Sequence, residues 1–324
     1  MSIQTKEMSL KEAVKKFVRP NDHVSIGGFT LNRNPMAAVH EIIRQKINGL
    51  HVYAHSNGQG LDELIGAGCV SNLEIAYAGN GRFAPTCICF RRHVLENKIA
   101  VEDYTNFQMA LRFLAGAMGV PFLPTMSSLG TDIIARWGFD MKMRQKNKKI
   151  SPKKLVVMEN PFSRDENPEK LVLVPAIQPD VTLIHVQQAD ITGTCRISGL
   201  TFADVDQAKA ARHVIVTCDE LVEPGTLNMQ PQCNQLPSFC VDAVVHVPFG
   251  AYPTACFGFY DYDAQFLNQY REMAGNDEKF AEYVNTYIKD KNHRQYLEKA
   301  CGSRLDTIKA DPETGYSIRM KRTQ

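Results

Sequence analysis

The stretch Val24–His40, VSIGGFTLNRNPMAAVH, decides how this chain is read. A short apolar run, with Val24 and Ile26, ends at Gly27-Gly28. A polar loop from Thr30 to Asn34 follows and carries one cation, Arg33. Pro35 then opens a pattern in which Met36, Val39, Ile42 and Ile43 recur at helical spacing. The order is strand, glycine turn, loop, helix. In open α/β sheets, ligands sit where strands hand over to helices, because free backbone N–H groups and the positive helix end point there. Glycine lets that backbone approach a ligand closely.

Working outward, Ser9–Val18 reads as a helix with Ser9 as its N-cap and Pro20 as its stop. Downstream, the apolar run Leu50–Ala54 leads into His55-Ser56-Asn57-Gly58, and Leu61–Ile65 starts a helix. Leu73–Tyr77 is a third short strand, running into Ala78-Gly79-Asn80-Gly81. Three successive strands thus discharge into small polar loops. In a parallel sheet such loops share one edge, which makes that edge a candidate binding site. Phe107–Met118 is a helix ending before Pro121. Asn106 at its start has two readings, an N-cap or an amide facing a ligand, and Thr105 is the other candidate cap.

Around residues 142–169 the chain becomes polar and irregular, as a boundary or excursion would. Apolar runs then resume at Leu171–Val174, Val181–Val186, Val214–Thr217 and Ala243–Val247, read as buried parallel strands. His185 and His246 lie within them and read as hydrogen-bonded core histidines. Residues 263–324 read as helical, with an aromatic stripe at Phe280, Tyr283 and Tyr287 suited to packing or to contact with another chain. The expectation is one α/β domain over residues 1–324, an open, mostly parallel sheet flanked by helices.

Composition narrows the function. The 324 residues are 44% hydrophobic with a formal net charge of +2, enough for a large core and no footprint for nucleic acid. The basic run Lys142–Lys154 reads as a solvated loop. The N-terminus alternates charge and polarity, and no run approaches the roughly 18 apolar residues of a span, so a cytoplasmic protein away from membranes is expected. Nine cysteines, an odd number in mostly apolar contexts, suit reducing surroundings. Cys87-Ile-Cys89 lacks a second pair or a nearby histidine, so no metal is expected. The sequence contains no G-x-G-x-x-G, P-loop, G-x-S-x-G or H-E-x-x-H. Glu63, Glu74 and Glu102 lie near the loop edge, but each fits a solvated position, so no carboxylate is assigned. A binding edge without a reactive group suggests half of a site.

The segments GGFTLNRNP, HSNGQGLDELIGAG, YAGNGRF, EDYTNFQMALRFLAGAMGVPFLPT, HVQQADITGTCRI, DVDQAKAARHVIVTCDELV and CFGFYDYDAQFL together resemble the A subunits of family I coenzyme A transferases of the glutaconate type. The resemblance runs from about Leu10 to the end. It implies an open α/β fold in each of two related subunits, and a heteromer of two kinds of chain. It implies ping-pong transfer of CoA between an acyl-CoA and a short carboxylic acid, glutaconate or a similar dicarboxylate, with the CoA thioester as substrate and no permanently bound cofactor. In this family the glutamate that attacks the thioester belongs to the partner, the B subunit. Asn106 falls where related transferases carry a glutamine, counted back from Val120-Pro121, and would position the reacting carbonyl or its oxyanion. Ser56 and Asn57 match the family's polar loop and would hold a carboxylate. The backbone of Gly27, Gly28, Phe29 and Thr30 would border the same pocket, beside Gly79 and Asn80. Arg33 would pair a distal substrate carboxylate, or else be a helix-flanking surface arginine. Two relatives share the fold: ring-opening CoA hydrolases, with a glutamate near the position of Asn106, and decarboxylases that use a cysteine of the partner chain.

Overall fold

The computed structural model describes residues 4–320. Eleven strands divide between two sheets: β1 (His23–Ile26), β2 (Leu50–Asn57), β3 (Val70–Ala78), β4 (Ala100–Asp103), β5 (Phe122–Thr125), β6 (Val156–Glu159), β7 (Lys170–Pro175), β8 (Val181–Asp190), β9 (Cys195–Arg196), β10 (His213–Val222) and β11 (Ala243–His246). The main sheet has the order β11-β10-β8-β1-β2-β3-β4, all parallel, with β9 added antiparallel to β8. The fold class is therefore an open, mostly parallel α/β sheet. Its central strands are buried on both faces, which is why Val181–Val186 reads as a largely apolar and β-branched run rather than an alternation.

Helices cover both faces: α1 (Leu10–Phe17), α2 (Met36–Arg44), α3 (Gln59–Gly66), α4 (Ile88–Leu95), α5 (Asn106–Met118), α6 (Asp132–Ala135), α7 (Met141–Lys146), α8 (Asp204–Ala210), α9 (Ala264–Met273), α10 (Asp277–Tyr283), α11 (His293–Ala300) and α12 (Leu305–Ile308). Val14 of α1, Ile42 of α2, Leu64 of α3 and the C-terminal rings Tyr270, Tyr283 and Tyr296 share the largest core. Met109 and Phe113 of α5 pack in a separate cluster with Tyr53, Val172 and Val174. The C-terminal aromatics are thus committed to this chain's own interior. Tyr270 and Tyr283 donate their hydroxyls to Asp62 at 2.8 Å and Glu63 at 2.9 Å.

Two helix starts follow from local chemistry. Ser9 and Glu12 form a reciprocal capping box on α1, and Thr105 and Gln108 do the same on α5. Asn106 is consequently the first residue of α5 and not its cap.

The region from Phe122 to Pro175 departs from the expectation. Leu171–Val174 is not a buried parallel strand. It lies in β7, the centre of a small antiparallel sheet ordered β5-β7-β6. Val172 and Val174 face inward while Lys170 is exposed, a one-sided alternation that the apolar letters concealed. Nor is the basic run Lys142–Lys154 wholly solvated. Arg144 is buried against Glu102, and the buried Lys154 ammonium lies 3.0 Å from Asp103 Oδ1. Among the described residues, no helix is long and apolar enough to cross a membrane.

Candidate active site

The strand order reverses between β1 and β8: from β1 the chain proceeds outward through β2, β3 and β4, and from β8 the other way through β10 and β11. Loops leaving neighbouring strands diverge at such a point, and a crevice opens at the carboxyl ends. Gly27-Gly28 follows β1 there.

The crevice is filled by the chain's own groups. Gly27 N–H donates to Leu183 O at 2.9 Å, Gly28 N–H to Asp204 Oδ1 at 2.7 Å, Phe29 N–H to Asn32 O at 2.8 Å and Thr30 N–H to Ser56 O at 3.0 Å. The expectation of free N–H groups in this loop is thereby corrected: all four are spent internally. The glycines serve close packing. A Cβ on Gly27 would lie 2.7 Å from Asp204 Oδ1, and Gly28 has φ +82. Arg33 is neither a surface arginine nor free for a substrate carboxylate. It is 2% exposed, pairs with Asp204, and donates to His185 O at 3.2 Å and Leu200 O at 2.7 Å. A buried carboxylate demands such a partner, and the arginine nearest in space satisfies it.

The second and third loops are also tied down. Asn57 is fully buried; its Nδ2 donates to Gly27 O at 2.8 Å and its Oδ1 accepts from Leu61 N–H at 3.1 Å, so it splices β1's loop to α3. Gly79 N–H donates to Asn57 O at 3.0 Å, and Asn80 Nδ2 to Gln59 Oε1 at 2.9 Å. Asn80 Oδ1 is buried with no partner among the described residues. Gly27, Gly28, Asn57, Gly79 and Asn80 therefore build the edge.

Ser56 and Asn106 meet. Ser56 Oγ lies 2.6 Å from Asn106 Oδ1, bridging β2 to the start of α5. Asn106 is exposed, and its Nδ2 makes no hydrogen bond among the described residues. The same holds for the backbone N–H groups of Asn106 and Phe107, in the first turn of a 13-residue helix. Unpaired N–H donors at a positive helix end favour a negative charge arriving from solvent.

Three rings line the approach. Phe202 stacks on Phe29 with centroids 4.7 Å apart and planes 10° apart, and Phe29 lies 5.6 Å from the His55 ring. All three are half-buried. Thr30, Arg33 and Phe202 have φ of 47, 48 and 49. Left-handed backbone at a β-branched and a bulky residue is strained, and such strain concentrates at ligand sites. Burial lowers the pKa of His55, opposed by the Asn106 backbone and Asp204. The sequence alone did not mark His55, Phe202 or Asp204 as site residues. His55 stands directly before Ser56, and the structure continues β2 through both where the sequence was read as a loop, whereas Asp204 lies 171 residues beyond Arg33, where no spacing rule connects them.

The carboxylates near the edge are buried and paired, not solvated as expected. Glu63 contacts His40, Gln59 and Tyr283. Burial raises the Glu74 pKa, but Arg112 and His51 outweigh it and hold the group at about 2. Glu102 accepts from Arg144, Tyr104 and the N–H groups of Gly138 and Phe139. None is presented as a nucleophile. His185, Asp219 and Cys256 place one ligand atom each within 4.8 Å of one another. His185 already bonds Thr217 and Asp219, both at 2.9 Å, and Asp219 Oδ1 accepts from Phe249 N–H at 2.6 Å, so the group is a hydrogen-bonded core. His246, expected to be similar, is exposed at the end of β11.

Residues 7–247 match the model of the coenzyme A transferase family. The chain is 39% identical over 317 residues, 98% of each chain, to the A subunit of glutaconate CoA-transferase from Acidaminococcus fermentans. The crystal structure of that organism's glutaconate coenzyme A-transferase superposes with a TM-score of 0.93 over 97% of this chain and 98% of that one. Identity to the A subunit of 3-oxoadipate CoA-transferase from Pseudomonas knackmussii is 32%, covering 87% of this chain and 93% of the relative. The structure of the decarboxylase AibA/AibB matches with a TM-score of 0.69 at 29% identity, covering 87% of this chain and 100% of that one. The parallel sheet, the loop edge at its carboxyl ends and these likenesses agree, and the chain belongs to the coenzyme A transferase family.

Proposed function

We propose that this chain is the A subunit of a heteromeric acyl-CoA:carboxylate CoA-transferase acting on glutaconate or a similar short dicarboxylic acid. The observation that carries the reading is the likeness to a glutaconate CoA-transferase A subunit over 98% of both chains. The partner, the B subunit, supplies the glutamate. Its carboxylate attacks the thioester carbonyl and expels the CoA thiolate, giving an acyl-glutamyl anhydride. The thiolate then attacks the glutamyl carbonyl and releases the acyl carboxylate, leaving a glutamyl-CoA thioester, and the acceptor acid reverses both steps. Each addition places negative charge on a carbonyl oxygen. Asn106 Nδ2 and the free N–H groups of the α5 start are the donors that meet it, and Ser56 fixes the amide's orientation. Gly27, Gly28, Phe29, Thr30, Asn57, Gly79 and Asn80 form the wall on which this happens. No metal or resident cofactor is required, and the setting is cytoplasmic.

The test uses the complex of this chain with its B partner. Incubation with acyl-CoA and then borohydride reduces a glutamyl thioester, so activity should be lost only when acyl-CoA was present. Full survival of activity would overturn the transfer mechanism. The 29% identity to a decarboxylase chain favours one second reading, a decarboxylase or CoA-thioester hydrolase of the same superfamily. Carbon dioxide or free CoA formed without an acceptor acid would establish it.

A further inference from the structure

The arrangement around β1's loop leaves a question of substrate selection. Arg33, the cation inside the crevice, is fully engaged by Asp204 and two backbone carbonyls. The stacked Phe202 and Phe29 rings lie beside that pair, with His55 next to them and Ser56 joining this group to Asn106. Each of the three rings is half-buried, so each keeps surface for a ligand. Phe202 and Thr30, the residue after Phe29, hold left-handed backbone at this position, although extended backbone would be cheaper.

We propose that Phe202, Phe29 and His55 form the acyl-chain subsite, and that His55 is the specificity-determining residue, taking the remote carboxylate of a short dicarboxylic acyl group. This rests on the reading of Asn106 as the donor at the reacting carbonyl. The paired phenyl rings give a flat apolar surface against which the methylene or vinyl carbons between two carboxylates pack. Beyond it, the imidazole offers the polar terminus. Its Nδ1 is buried and has no hydrogen-bond partner among the described residues; the Asn106 backbone engages the ring, but one nitrogen is left over, whereas both nitrogens of His185 are taken. The groups acting on His55 are the Asn106 backbone, whose hydrogen bond favours the imidazolium, and Asp204 at the start of α8, which favours it too and is itself paired with Arg33.

An empty subsite keeps His55 neutral, because burial disfavours the imidazolium. An incoming carboxylate favours the imidazolium, so binding takes up a proton. Dicarboxylate affinity is then high at acid pH and falls as pH rises through the pKa of the complex. A monocarboxylate of the same length uses only the apolar wall and shows no such dependence.

The experiment is calorimetric binding of glutarate and of butyrate to the A–B complex near pH 6 and near pH 8, with wild type and His55→Phe. The phenylalanine keeps the ring and removes the nitrogens. Wild type should prefer glutarate, with tighter binding at the lower pH, and His55→Phe should lose roughly tenfold or more for glutarate while butyrate is unchanged. An unaltered glutarate preference in the variant, or an equal loss for both acids, overturns the subsite. Binding does not depend on turnover. A complex that selects glutarate through His55 and transfers no CoA would therefore refute the transferase reading and leave the subsite standing.

Discussion

Ser56 Oγ lies 2.6 Å from Asn106 Oδ1, so the acceptor end of the Asn106 amide is taken up within the chain and its NH2 group is left for a ligand. A freely rotating amide would present donor or acceptor at random; a fixed one presents donors only. The relation also joins two candidates that the sequence placed on separate loops.

Asn106→Ala removes a donor from the developing oxyanion, and kcat of the A–B complex should fall by about 100-fold or more with the fold unchanged by circular dichroism. Ser56→Ala acts only through the amide, so its loss should be smaller, about tenfold, and should vanish in the Asn106→Ala background. Wild-type turnover in Asn106→Ala would reduce this wall to scaffold.

Arg33 belongs to stability. Arg33→Met strands the buried Asp204 carboxylate and should cost roughly 3–5 kcal/mol in urea unfolding. Arg33→Met combined with Asp204→Asn should recover much of that, since no uncompensated charge remains. An arginine serving a substrate carboxylate would instead leave the unfolding midpoint in place and raise KM.

The sheet was legible because parallel strands buried on both faces write themselves as short, largely apolar runs that pass into glycine or asparagine, as Val24–Gly28 and Leu50–Gly58 do. The Thr105 cap was legible as one of two neighbours, and only the reciprocal bond with Gln108 separates it from Asn106. What stayed hidden was long-range. Nothing in the spacing of Gly28, Arg33 and Asp204 says that the acid takes both the glycine N–H and the guanidinium. The glycine loop therefore looked open when it is filled. Leu171–Val174 looked like another core strand because four apolar letters do not reveal which sheet they join.

Asp62 is fully buried on α3, accepting from Phe90 N–H and the Tyr270 hydroxyl, both at 2.8 Å. Burial raises its pKa from 3.8 to about 6. The folded chain thus keeps a proton that the unfolded chain gives up between these values, and stability falls as pH rises across that window. Asp62→Asn removes the titration. Its stability relative to wild type should improve by roughly 3 kcal/mol between about pH 4 and pH 7. Parallel unfolding curves at all pH values for the two proteins would show that Asp62 is not protonated in the fold.

Gly28 and Gly68 separate backbone strain from close packing. Both have positive φ, +82 and +70. A Cβ on Gly28 would stand 2.6 Å from the carbonyl oxygens of Asn32 and Arg33, while one on Gly68 meets nothing within 4 Å. Gly68→Ala should therefore cost only the left-handed penalty, about 1–2 kcal/mol, and leave activity intact. Gly28→Ala must also push the 32–33 backbone away. That loosens the Arg33–Asp204 pair and the neighbouring Phe29 ring, so this variant should lose more stability and most of its turnover. Equal unfolding midpoints for the two variants would mean that the loop tolerates the methyl group, and that Gly28 is there for its φ alone.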